Sequence, residues 1–217
     1  MFAKVFIAIA LTTIFVSCNS QIDVDLEKAS TYSINFDGNT TYGVLDSPWR
    51  PSGANWEIEL TLVWDSSKGA NTYPIATGSS ATSIYIDSSG LPLLKFEGQY
   101  ISANVSRLIS GVESNVKFSV SAVEVKHYMN DILEGTIPTT KTLLNDWEVI
   151  GAHSAHNLNY KGKIRKVKLT DLDLLSNSRE FIFTYDVRNI ETLTEELIRA
   201  QTGIDFVLYS QEKMIKY

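Results

Sequence analysis

Apolar and polar residues alternate along most of the chain, which is the pattern of strands with one buried and one solvated face. The clearest case is segment 56–64 (WEIELTLVW), where aromatic and aliphatic residues occupy one face and Glu57, Glu59 and Thr61 the other. Similar patterns predict strands at 32–36, 42–45, 83–86, 93–96, 116–129, 132–133, 147–150, 163–169 and 204–209, with turns at Asp37–Asn39, Asp87–Gly90 and Asn130–Asp131. The chain is therefore expected to be rich in short antiparallel strands.

The predicted strand near residue 165 contains an irregularity. Ile164 and Val167 are three positions apart, whereas Val167 and Leu169 are two apart, so the alternation slips by one residue. This slip predicts a β-bulge near Arg165. Gly162, just before it, would permit a close approach to a neighbouring strand.

One helix is predicted close to the C-terminus. The apolar residues that recur with helical spacing are Ile190, Leu193, Leu197 and Ala200. Thr192 and Glu195 could form a capping box at the start of the helix, and Gly203 could end it. With the many strands, this predicts an all-β fold: a two-sheet antiparallel jelly-roll β-sandwich with one short C-terminal helix.

The first eighteen residues have the pattern of an export signal. One positive charge, Lys4, precedes the apolar run Val5–Val16, which is too short for a stable membrane span. Phe15-Val16-Ser17-Cys18 resembles a bacterial lipobox, in which the cysteine becomes the lipidated first residue; an ordinary secretory signal is the alternative. We thus predict a signal at 1–18, a polar tether at 19–30 and a β-sandwich domain at 31–217.

Composition narrows the possible functions. The 217 residues include 19 Lys plus Arg against 25 Asp plus Glu, a formal net charge of −6, which disfavours nucleic acid as a partner. Cys18 is the only cysteine, so the domain cannot contain an internal disulfide.

Export and lipidation predict a protein anchored to a membrane by lipid alone. Asn19 after the cysteine is, by resemblance to enteric lipoproteins, typical of sorting to the outer membrane.

Five segments, in order, resemble parts of one domain family. They are 32–42 (opening YSINFDGN and ending at Tyr42), 56–64, 83–90 (SIYIDSSG), 127–133 (HYMNDIL) and 159–169 (NYKGKIRKVKL). These segments resemble the strands and turns of laminin G-like domains of the concanavalin A-like lectin and glucanase superfamily. The resemblance covers a core at 31–172 and leaves a C-terminal extension at 173–217.

The resemblance implies several classes of function, because this superfamily includes lectins, enzymes, adhesion modules and structural domains. We expect a non-catalytic binding module at the cell envelope that recognises a carbohydrate or a partner protein. A phage- or prophage-related structural component is the alternative, and an atypical polysaccharide hydrolase is a third. Glucanases of the superfamily carry acids spaced E-x-D-x-x-E on one strand. Glu57 and Glu59 share a face but lack the third acid, so ordinary solvated side chains are expected there.

The segment before the closing strand contains the predicted ligand-binding residues. His153, His156, Asn157, Asn159 and Tyr160 could bond sugar hydroxyls if this segment is a loop, although solvated loop histidines are the alternative. Trp49, between two prolines, is predicted either to stack on a sugar ring or to pack over the end of the sandwich.

Two further groups of charged residues could bind a ligand. A basic stripe on the closing strand consists of Lys161, Lys163, Arg165, Lys166 and Lys168, and it would either meet an acidic glycan or lipid phosphate or form a solvated face. The resemblance also implies a possible calcium ion held by rim carboxylates, for which Asp65, Asp87 and Asp146 are the candidates; turn formation is the alternative role.

Overall fold

The computed structural model describes residues 34–79, 82–96, 99–101, 106–139, 144–153, 158–182, 206–209 and 214–216. Its strands are β1 Ile34–Asp37, β2 Tyr42–Trp49, β3 Trp56–Trp64, β4 Thr72–Thr77, β5 Thr82–Ile86, β6 Pro92–Phe96, β7 Gln99–Ile101, β8 Glu113–Val120, β9 Glu124–Met129, β10 Ile132–Pro138, β11 Trp147–Ile150, β12 Lys161–Asp171, β13 Arg179–Ile182, β14 Phe206–Tyr209 and β15 Met214–Lys216. Two short 3₁₀ turns occupy Ser66–Lys68 and Leu175–Asn177.

The strands form two antiparallel sheets. Sheet A has the order β1-β12-β3-β8-β9-β10, with β13 also paired to β12, and sheet B has the order β15-β14-β2-β11-β4-β5-β6-β7. Neighbours in both sheets are often distant in sequence, as in the pairing of β12 with β3 and of β14 with β2. This arrangement is the predicted jelly-roll β-sandwich.

The core lies between the two sheets and is made by alternate residues of their strands. In β3 each odd-numbered position is partly exposed and each even-numbered position is buried. Trp56 packs edge-to-face on both Trp49 and Trp147, with ring centroids 6.3 and 5.8 Å apart. These three buried indoles fill the core at one end of the sandwich. The hydrophobic effect favours the burial of such large apolar rings.

The sequence pattern predicted most of these strands, but it joined two of them into one run. Residues 116–129 were expected to continue as one strand; they form β8 and β9, joined by a tight turn at 121–123 in which Val123 is 69% exposed. The Ser121 hydroxyl accepts the Glu124 N–H at 3.1 Å, so local side-chain hydrogen bonding ends the strand despite continued alternation. The predicted Asn130–Asp131 turn is confirmed, since both residues have positive φ.

The irregularity of the closing strand is also confirmed. The pairing of β12 with β3 shifts register between Ile164 and Lys166, which places the β-bulge at Arg165. Gly162 has φ +134°, and a Cβ there would lie 2.0 Å from the Val63 carbonyl oxygen. Only glycine allows β3 and β12 to approach so closely at this point.

Some predictions fall on other parts of the chain. The signal at 1–18, the tether at 19–30 and the helix predicted around 190–200 lie outside the described residues. Within the ranges given above, no helix combines the length and apolar character that crossing a bilayer requires.

Candidate functional site

The outer face of sheet B carries a cluster of aromatic and polar side chains. Tyr73 on β4 stacks on Tyr85 on β5, with ring centroids 5.5 Å apart and planes at 26°. Leu93 is paired with Tyr85 across β5 and β6, and Lys95 lies two residues further along the same face of β6. His153 meets the edge of Tyr73 at 4.9 Å. We call these five residues the aromatic face.

The end of the loop at 151–160 is fixed to β4 beside Tyr73. The Gly151 N–H donates to the Pro74 carbonyl at 2.8 Å, and the Tyr160 N–H donates to the Gly151 carbonyl at 2.7 Å. Asn159 forms an isolated bridge with Tyr73. Gly151 has φ +80°, and a Cβ there would lie 2.1 Å from the Phe36 ring, so only glycine fits. These contacts hold His153 over the tyrosine ring.

Lys68 adds a further link to the base of this loop. Its ammonium group donates to the backbone carbonyls of Gly38 and Asn159. Burial lowers the pKa of Lys68, and the nearby charge of Asp37 opposes that change. A lysine between two carbonyls thus connects the β1–β2 turn to the loop that carries His153.

Several polar atoms near the aromatic face are buried without a hydrogen-bond partner in the structure. They are the Ser83 hydroxyl, the His153 Nδ1 and both amide atoms of Asn159. Ser83 is paired with Lys95 across β5 and β6, so its side chain belongs to the same face as the tyrosines. A buried polar atom without a partner costs about 1–3 kcal/mol, and such atoms commonly bind water or a ligand.

The electrostatics of the face favour a neutral imidazole. Burial lowers the pKa of His153, and the positive charge of Lys95 lowers it further. At neutral pH the ring therefore has one donor and one acceptor nitrogen, which suits hydrogen bonds to hydroxyl groups. Lys95 and His153 are partly exposed, whereas Tyr73 and Tyr85 are only 6% and 7% exposed. The tyrosines thus form the floor and the two polar residues the accessible part.

The predicted ligand-binding residues differ in their exposure and position in the structure. Trp49 is 0% exposed and its indole N–H donates to the Asn177 carbonyl, so the prediction that it stacks on a sugar is wrong and the packing alternative is confirmed. Tyr160 is also fully buried, and its hydroxyl donates to the Val63 carbonyl at 2.8 Å, so a direct role in ligand binding is wrong as well. Burial raises the pKa of Tyr160 well above its ordinary value. His153 and Asn159 lie at the aromatic face, while His156 and Asn157 lie outside the described residues.

The basic stripe is largely neutralised by acidic neighbours. Lys161 contacts Asp65 at 3.6 Å, Arg165 binds both carboxylate oxygens of Glu113 at 2.9 and 3.0 Å, and Lys166 pairs with Glu59. No ion pair joins Lys163 or Lys168 to another residue within the described ranges. All five side chains are partly exposed on sheet A, so the geometry favours the solvated-face alternative.

Glu59, one of the two acids that share a face of β3, is held in its ionised form. Burial would raise the pKa of Glu59, but the hydrogen bond and charge of Lys166 outweigh burial and lower it. Asn115 donates a further hydrogen bond to the same carboxylate. A carboxyl group held ionised in this way is unsuited to protonating a leaving group.

The three calcium candidates are engaged in local structure. Asp65 accepts the Ser67 N–H at 2.8 Å and caps a 3₁₀ turn, while Asp87 accepts the N–H groups of Ser89 and Leu91 within its hairpin. Asp146 contacts Arg50 at 3.8 Å beside a cleft of about 250 Å³. Among the residues with described positions, no three His, Cys, Asp or Glu side chains are grouped to hold a metal ion.

A buried carboxylate that sequence reasoning missed, Asp171, lies at the same end of the sandwich as the three indoles, opposite Trp56 in the β12–β3 pairing. Asp171 is 0% exposed and accepts hydrogen bonds from the Ser52 N–H and hydroxyl, the Asp173 and Leu174 N–H groups and the Asn177 amide. Burial alone would raise the pKa of Asp171, but these bonds outweigh burial and lower it to about 2. With every bond made inside the fold, its role is structural.

Comparison with solved structures identifies the fold. The SAP-like pentraxin from Limulus polyphemus matches with a TM-score of 0.53 and 16% identity over 84% of this chain and 92% of the pentraxin chain. A candidate carbohydrate-binding protein from Bacteroides ovatus matches with a TM-score of 0.56 and 13% identity, over 85% of this chain and 60% of that one. Domains LG4-5 of the mouse laminin alpha1 chain match with a TM-score of 0.47 and 14% identity, over 71% of this chain and 43% of that one.

The structure therefore has the predicted two-sheet jelly-roll fold, which it shares with the Limulus pentraxin and the Bacteroides ovatus protein. No protein-family model and no curated protein sequence matches the chain. Identities this low establish the fold alone, so the function has to be inferred from the side chains.

Sequence reasoning missed the tyrosine pair. Tyr85 was placed in a predicted strand without a role, and no strand was predicted at β4, where all six residues are buried. A strand buried on both faces lacks the alternating pattern that reveals a half-buried strand. The alternation of Tyr85 with Ile84 and Ile86 was the one signal that a tyrosine faces away from the core.

Proposed function

We propose that this protein is an exported, lipid-anchored, non-catalytic binding module that recognises a carbohydrate at the aromatic face. The observation that carries the proposal is the coincidence of the stacked Tyr73–Tyr85 pair with unpartnered polar atoms on Ser83, His153 and Asn159. Aromatic rings bind the C–H faces of sugars, while neutral hydrogen-bonding groups bind their hydroxyls. A site with both elements fits a carbohydrate better than it fits a purely apolar or a strongly charged ligand.

The distribution of groups suggests how a sugar would bind. The partly exposed Lys95 ammonium and His153 imidazole would contact hydroxyls at the surface, and the tyrosine edges and Leu93 would contact the apolar part of the ring. The Limulus pentraxin and the Bacteroides ovatus protein share the fold, and the name of the second describes carbohydrate binding. The second comparison supports a carbohydrate as the class of ligand.

The location belongs to the same proposal. The lipobox-like Phe15-Val16-Ser17-Cys18 would attach the mature chain to a membrane through acyl groups on Cys18, with the sandwich outside the cytoplasm. A polar tether at 19–30 would separate the membrane from the domain. An envelope glycan or a glycan outside the cell would then be within reach of the aromatic face.

An array of neutral and acidic oligosaccharides, probed with the full chain, tests the carbohydrate proposal. We expect binding to a defined subset of glycans, weakened about tenfold by His153→Ala and by Lys95→Ala, because each loses a hydrogen bond to the ligand. Lys168→Ala is the matched control, since Lys168 is also a partly exposed strand lysine but lies on the outer face of sheet A. The control variant should bind within about twofold of the unmodified protein.

Two results would contradict the proposal. One is an array without any bound glycan at high protein concentration. The other is binding that His153→Ala and Lys95→Ala leave intact while Lys168→Ala weakens it, which would move the site to sheet A.

A further inference from the structure

One end of sheet A carries an apolar surface around a cleft. The cleft has a volume of about 240 Å³ and is lined by Ser106, Arg107, Ile109, Val112, Ser114, Met129, Asn130, Ile132 and Glu134. Ile109, Ile132 and Val112 of this lining are 67%, 65% and 47% exposed. We call the cleft the hairpin patch, because the β9–β10 hairpin forms one side. Grouped exposed aliphatic side chains of this kind mark an interaction surface.

The same hairpin places a sheet edge beside the patch. Among the strands that the structure describes, β10 lies at one edge of sheet A, and it begins at Ile132 inside the cleft. The Asn130–Asp131 turn, with φ of 50° and 65°, projects this strand from β9 in a tight hairpin. The strand also shifts register between Leu133 and Gly135, a β-bulge of the kind that protects a sheet edge from pairing with another strand. The exposed apolar side chains of the cleft, rather than the strand edge, therefore form the interaction surface.

The charges of the cleft indicate what would cover it. Arg107 and Glu134 both line it, and no ion pair joins these two residues within the part of the chain that the structure describes. The Ser106 hydroxyl donates to the Glu134 carboxylate at 2.9 Å and holds it in place. The Arg107 guanidinium donates to the Ser89 carbonyl at 3.4 Å. The surface thus holds a cation and an anion beside an apolar centre, a charge pattern that can pair with a copy of itself. A twofold axis between the two charges would bring Arg107 of each copy towards Glu134 of the other.

We propose that the hairpin patch is a self-association surface, on which a second copy of this chain is bound through a twofold axis. In the dimer, Ile109, Val112 and Ile132 are buried against their counterparts. Two reciprocal Arg107–Glu134 contacts fix the register. The aromatic face lies on sheet B, so both copies keep that face accessible to a ligand.

Sedimentation velocity of the full chain over an about hundredfold range of concentration tests the dimer by mass action. We expect a monomer–dimer equilibrium that Ile132→Lys abolishes within this range, because a lysine there would place two like charges at the interface. Val123→Lys is the matched control: Val123 is 69% exposed, is also apolar, and lies in the β8–β9 turn rather than in the patch. The control variant should dimerise like the unmodified protein.

Charge exchange identifies the surface independently of the apolar residues. Arg107→Glu and Glu134→Arg should each raise the dimer dissociation constant by about tenfold or more, and the double exchange should restore dimerisation. A chain that stays monomeric over the whole range overturns the proposal and leaves a different protein as the occupant. A dimer that tolerates Ile132→Lys, or charge variants without reciprocal rescue, would equally overturn it.

Discussion

His127 gives the sharpest quantitative prediction, because it is a titratable group inside the core. The side chain is 1% exposed, lies parallel to the Phe118 ring at 4.6 Å, and has no hydrogen-bond partner on either ring nitrogen. Burial lowers the pKa of His127 from 6.5 to about 4, and the charge of Glu134 opposes this change only in part. The folded protein therefore holds a neutral imidazole that the unfolded chain would protonate.

The sign of the effect follows from proton linkage. Between pH 6.5 and about 4 the unfolded state binds a proton at His127 that the folded state does not, so stability falls as the pH falls. The full loss is about 3 kcal/mol and is reached below the folded-state pKa. The carboxylate Asp171, whose pKa is lowered to about 2, loses its contribution only at more acidic pH, below 3.8. The two contributions thus occupy different ranges of pH.

Chemical denaturation measured from pH 7 to pH 4 on the full chain and on His127→Leu checks this prediction. Leucine fills a similar volume and removes two unpartnered nitrogens, so the variant should be at least as stable at pH 7. Between pH 7 and pH 4 the free energy of unfolding of His127→Leu should fall by about 3 kcal/mol less than that of the unmodified protein. His153→Leu should change the pH dependence of the free energy of unfolding by a smaller amount. An unchanged slope in His127→Leu would refute the burial-based reasoning, as would an imidazole NMR titration near pH 6.5 in the folded protein.

Three further predictions concern the fold and the anchor. Asp171→Ala should lower the free energy of unfolding by about 3 kcal/mol in denaturant titrations, since several buried donors lose their acceptor; a change below about 1 kcal/mol would contradict this. Gly151→Ala should cost about 2 kcal/mol because of its positive φ and the contact with Phe36; unchanged stability would refute that clash. Cys18→Ser should abolish labelling by a palmitate analogue, and equal labelling of both proteins would end the lipoprotein proposal.

The strands with one solvent-exposed face could be predicted from the sequence. The exact bounds of β3 and β11 were predictable, because Glu57, Glu59 and Glu148 alternate with buried neighbours. The bulge at Arg165 followed from the slip between Ile164 and Val167. Such features are local, and their hydrophobic period is directly visible in the residue order.

The candidate site was harder to predict because it depends on contacts between distant segments. Tyr73, Tyr85 and His153 come from three parts of the chain and meet only after β4 pairs with β5 and β11. The partner of the Trp49 indole was equally hidden, since its neighbours Pro48, Arg50 and Pro51 predict a loop at Trp49 without indicating what it contacts. Its indole N–H finds a partner at Asn177, a residue more than a hundred positions away. A hydrogen bond between such distant residues forms only in the folded chain, so local composition does not predict it.

The central claim is that the aromatic face binds a carbohydrate. Its most direct test is an amide NMR titration of the full chain with the tightest-binding oligosaccharide from the array. We expect the largest shift changes at Ser83, Lys95 and His153, with β12 unaffected. Shift changes confined to β12, or no change at saturating glycan, would contradict the claim.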